Sequence, residues 1–180
     1  MLYDAQARMR WAQIGGGPGV LASALAWLAA GLVELGGATP SVVFGALFAG
    51  GLLIVPVSVL AARLAGRGGK AGPLARLGAE AAGVLFAGLF VGFAMLFAAP
   101  ALTLPLVAVV IGARYLTFET LYGDATYLAL GGALFAAGAA ATVAPDLLPV
   151  SVAFVVAGLE GLFGLFLTVR ASRRDVAVPA

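Results

Sequence analysis

The chain has 180 residues, 63% of them hydrophobic and only 10% charged, with no Cys and no His. Its mean hydropathy is +1.11 and its pI about 9.4. A soluble domain of this length could not hide so much apolar surface, so the composition is that of a polytopic membrane protein. The missing Cys and His exclude disulfides, thiolate or imidazole catalysis, histidine-ligated haem and the usual zinc sets, so no metal or cofactor is expected.

Read from the N-terminus, Arg8, Arg10 and Trp11 form a short interfacial stretch before the first apolar run. No cleavable signal peptide is evident. Six spans of about 20 residues are then predicted, forming one integral membrane domain over 1–180. The first runs Pro18–Leu35 and the second Pro40–Leu64, with Pro56 in its interior as an expected kink and hinge. A Gly-rich loop carrying Arg63, Arg67, Lys70 and Arg76 follows, and these four are expected at lipid headgroups. The third span is Leu74–Ala98 and the fourth Thr103–Tyr122, closed by Gly123 as C-cap. The fifth, Ala125–Val143, is opened by Asp124, and "APDLLP" turns the chain into the sixth, Pro149–Arg170.

Nine of the ten Lys and Arg residues fall on one side of this six-span bundle. The positive-inside rule then places both termini in the cytoplasm. A basic pI here points to lipid headgroups, not to nucleic acid. An inverted three-plus-three repeat is compatible with six spans, although sequence similarity between the halves is weak. The spacings Gly88/Gly92 and Gly45/Ala49 predict close helix contacts and would also suit a homo-oligomer.

Arg114 is the tenth basic residue, inside span four, and Glu160 lies inside span six. Each is about 11 residues from the outer end of its span, hence roughly 16 Å deep. An unpaired charge there costs at least about 2.5–3.5 kcal/mol, so an Arg114–Glu160 ion pair is expected. It would be either a polar centre in a substrate or proton path or a pin for helix register. Glu119 is about 140° around the helix from Arg114 and cannot serve it well. Tyr115, Glu119 and Tyr122 share one stripe. Glu80 and Glu119 form a second, shallower layer, with Arg76 one turn from Glu80. Tyr115, Tyr122 and Tyr127 are expected by default to be interfacial anchors, Trp27 to pack in the bundle, and Glu34 to be solvated.

Other chemistries are absent. There is no Gly-x-Ser-x-Gly elbow, no Asp pair within the spans, and "GRGGKAG" lacks phosphate-loop spacing.

The run Gly112, Ala113, Arg114, Tyr115, Leu116, Thr117, Phe118, then Leu121, Tyr122, Gly123, resembles a family of small bacterial integral membrane proteins of unknown function. That family's fourth span ends in Gly-Ala-(His or Arg)-aromatic-Leu-Pro-aromatic, then Leu-Tyr-Gly. Thr117 stands where the pattern has Pro. "GLLIVPVSVLAARL" in span two is also similar. The resemblance implies a multi-helix bundle in a bacterial inner (plasma) membrane, marks Arg114, Tyr115 and Tyr122, and brings no activity.

The leading functional expectation is a small permease or channel-like protein, with proton coupling as an option and the substrate unknown. Arg114 and Glu160 would form its centre, Glu119 and Glu80 its cytoplasmic mouth. The alternative is a non-transporting assembly or sensor subunit. A lipid-modifying enzyme ranks third, since no nucleophile and base are evident.

Overall fold

The computed structural model describes residues 2–68 and 72–174, and every regular element in them is helical. Seven α-helices occur: α1 (Leu2–Ala12), α2 (Gly17–Leu35), α3 (Pro40–Leu64), α4 (Ala75–Ala98), α5 (Thr103–Tyr122), α6 (Thr126–Val143) and α7 (Val152–Arg174). Among the described residues, helices α2 to α7 are each long and apolar enough to cross a bilayer, as a multi-pass membrane protein requires. Lys70 lies outside the described residues.

Helix α1 was not expected. Its sequence, LYDAQARMRWA, is too polar for a span, and its charges read only as an orientation signal. It is joined to α2 by a tight turn in which Ile14, Gly15 and Gly16 all have positive φ. Gly16 has no room for a side chain, because a Cβ would meet the Tyr127 hydroxyl and the Tyr122 ring.

The six spans pack as two groups of three. Helix α2 lies along α3 and α7, and α5 lies along α6 and α4, while contacts between the groups are sparser and come chiefly from α6 against α7. Glycine close approaches follow the same division. Gly112 and Gly131 bring the α5 and α6 backbones together, Gly88 receives Val110 of α5, and Gly164 receives Leu21 of α2. Gly92 receives Val107 in the same way, whereas Gly45 faces open space. Each group therefore contains a hairpin (α2–α3 or α5–α6) plus one helix donated by the other half of the chain. The two halves of the chain thus exchange their third helices.

Between the groups sits an apolar layer that includes Trp27, Ala30, Val107, Ala108, Ala153 and Val156, each at most 1% exposed.

Candidate functional site

A cavity opens at the end of the molecule where α1, the α3–α4 loop and the end of α5 meet. Its volume is about 400 Å³. Helix α3 supplies Ile54, Ser58 and Arg63, α2 supplies Gly19 and Ser23, and α5 supplies Arg114, Tyr115, Phe118 and Tyr122. Local structure brings Arg67 over the same space. Gly66 takes φ +69°, and the Arg67 amide donates to the Ala62 carbonyl at 2.8 Å, closing α3 and turning the chain back over its own end. Among the described residues, three arginines thus border this cavity and no carboxylate does.

Behind the cavity wall made by Ser23 and Tyr115, the expected centre takes a different form. Glu160 is 0% exposed, yet it makes no ion pair with Arg114. One carboxylate oxygen accepts the Tyr115 hydroxyl at 2.9 Å, and Ser23 of α2 lies beside it. The other oxygen has no protein partner. Successive helical residues point about 100° apart. Tyr115 therefore reaches α7, while its neighbour Arg114 turns to the cavity, with its guanidinium 4.9 Å from the Phe118 ring centroid and its Nε unpartnered.

The three tyrosines are not interfacial anchors. Tyr115, Tyr122 and Tyr127 are 3%, 4% and 0% exposed, and stack with Phe118 at centroid separations of 5.3–6.0 Å. Burial requires each hydroxyl to find a partner. Besides the Glu160 contact, Tyr122 donates to Gln13 at 2.5 Å and Tyr127 to the Gly15 carbonyl at 2.6 Å. Gln6 donates to the Thr120 carbonyl at 2.8 Å and Arg10 to the Tyr122 carbonyl, so α1 is strapped to the end of α5. Arg170 of α7 clasps Asp124 at 3.0 Å, and Asp124 also accepts the Thr126 amide at 3.0 Å.

Glu80 and Glu119 do not line the cavity. Glu80 pairs with Arg76 at 2.9 Å on the exposed face of α4. Glu119 accepts a long 3.5 Å bond from Thr120. Pro56 lies on the exposed side of an uninterrupted α3, within the stretch that walls the cavity. At the opposite end a second cavity of about 280 Å³ is bordered by Glu34, Val43, Thr103, Leu104, Ser151 and Val152, among others. Glu34 is tied there to Ser151 across α2 and α7, which solvation alone did not foresee.

A family description covering residues 2–170 matches this chain. The chain belongs to DUF7010, a family of unknown function. No curated protein and no solved structure matches it. Membership in DUF7010 thus agrees with a multi-pass membrane protein and supplies no activity, so function has to come from the geometry. Among the described residues, no cluster could hold a metal ion.

Sequence reasoning missed Ser23, Ser58, Gln13 and Phe118 in the cavity wall. A small hydroxyl or a single aromatic is common in any span, and nothing in the sequence distinguishes these from the rest. Arg63 and Arg67 were visible as charges, but only the turn at Gly66 reveals that they overhang a cavity.

Proposed function

We propose that this protein is a small permease working by exchange of access between its two end cavities, with the arginine-lined cavity facing the cytoplasm. The observation that supports this most is the placement of two cavities at opposite ends of one seam. On α5 they are separated by the stretch between Pro105 and Arg114, about 13–14 Å at the helical rise. Both cavities are walled by the two groups together, so rocking one group against the other would widen one and narrow the other. Tyr115 on one group and Glu160 on the other meet at that seam. Glu160 is the group that would take up and release a proton, and Pro56 is the hinge that would let α3 swing over the cavity.

The test is reconstitution into liposomes holding an internal pH indicator, challenged with panels of carboxylates, phosphates and amino acids. One class is expected to drive solute-dependent proton entry. Glu160→Gln keeps a carbonyl for Tyr115 and should abolish that signal while the melting temperature stays within a few degrees. Neither proton movement nor tracer flux for any class would overturn the reading.

A further inference from the structure

The arginine-lined cavity does not end at Arg114. A narrow crevice adjoins it, sharing Ser23, Ile54 and Arg114, and runs between α3 and α4. Its wall is otherwise almost wholly apolar: Leu47, Phe48, Leu52, Leu85, Phe86 and Leu89 among others. It encloses only about 60 Å³, yet Leu52 and Phe86 on its rim are 55% and 57% exposed, so it opens sideways onto the lipid-facing surface. Few contacts between α3 and α4 bar that opening.

Two donors on residues that line the crevice have no partner in the protein. They are Nε of Arg114 and Nε1 of Trp27, a residue that is 0% exposed. A buried donor left unpaired costs about 1–3 kcal/mol. Along α3 the lining changes from Arg67 and Arg63 through Ser58 to Ile54, Leu52 and Phe48. That polar-to-apolar order, read inward from the basic end, is the order of an amphiphile standing in the adjoining leaflet.

We propose that the site takes an anionic amphiphile, a carboxylate or phosphate head on a single hydrocarbon chain, entering from the bilayer between α3 and α4. Arg114, Arg63 and Arg67 receive the head, with Trp27 as a neutral donor. The chain follows the crevice and leaves it along Leu52 and Phe86. This names the substrate class of the permease cavity and so rests on that assignment.

Trp27 is itself the reporter. The chain has two tryptophans, and Trp11→Phe leaves Trp27 alone. In nanodiscs of zwitterionic lipid, a fatty acid brominated at mid-chain should quench Trp27 saturably. Its methyl ester should give only linear, non-saturating quenching. An alkyl phosphate should displace the acid, and the tighter of the two heads fixes the preference. Arg114→Gln should weaken binding about tenfold or more, the scale of a lost charge-assisted bond. Gly51 borders the crevice with nothing within 4 Å of an added Cβ, so Gly51→Leu should block the chain in a folded protein. Equal, linear quenching by acid and ester overturns the proposal. Displacement of the acid by inorganic phosphate at comparable concentration also overturns it, while leaving a permease for soluble anions standing. Saturable binding without flux supports the amphiphile site and removes the permease reading.

Discussion

Glu160 and Arg114 announced themselves in the sequence because a charge in an apolar run has few explanations. Their relation did not, because a one-residue step around a helix decides which neighbour meets α7. Tyr115 takes that position, and its hydroxyl makes the bond expected of Arg114. Tyr115→Phe removes the donor and leaves a fully buried carboxylate with one partner fewer. Chemical denaturation should show a loss of about 1–3 kcal/mol. The same change on a Glu160→Gln background should cost measurably less, since a neutral amide loses a weaker bond. Equal costs in both backgrounds would mean the bond does not matter to stability.

Helix ends were legible where backbone chemistry marks them. Pro40 opens α3, and Gly123 closes α5 with φ +60°, a conformation that suits glycine. Helix α1 and the tyrosine cluster were not legible, since a polar stretch before a span and a tyrosine near its end both have common interfacial roles. Close packing was only partly legible: Gly88 and Gly92 sit in contacts, Gly45 does not, and spacing alone cannot separate them. The structure does separate them, and the contrast is testable. Gly112→Leu would drive a side chain into the Phe135 backbone and the Gly131 carbonyl, atoms that cannot rotate aside. It should lower stability by more than the about 1–3 kcal/mol of ordinary overpacking. Gly51→Leu, facing open space, should melt within a few degrees of wild type. Gly16→Ala combines a left-handed backbone with a blocked Cβ and should loosen α1, seen as faster proteolysis before residue 17.

Across the whole molecule, counting spans and basic residues was enough to predict a six-helix bundle, because hydrocarbon thickness sets helix length. The division into two groups was hidden, because it depends on which helices touch. The orientation expected from charge can be measured directly, since the chain has no native Cys to mask. Ser172→Cys and Asp146→Cys place exposed thiols at opposite ends. In right-side-out cells an impermeant maleimide should label Asp146→Cys and spare Ser172→Cys until the membrane is opened. The reverse pattern would place the arginine-lined cavity on the outside.

The exchange of third helices also bears on how the chain is made. Helices α2 and α3 leave the ribosome before α4, α5 and α6, yet the helix that completes their group is α7, which follows all of these. Until it arrives, α2 lacks the α7 surface it packs along, and Ser23 lacks Glu160 beside it. A nascent chain halted after α6 would hold a finished second bundle beside an unfinished first one. The step that buries Glu160 therefore comes after the second group is complete, and a chain truncated before that step should be cleared by membrane proteases instead of accumulating.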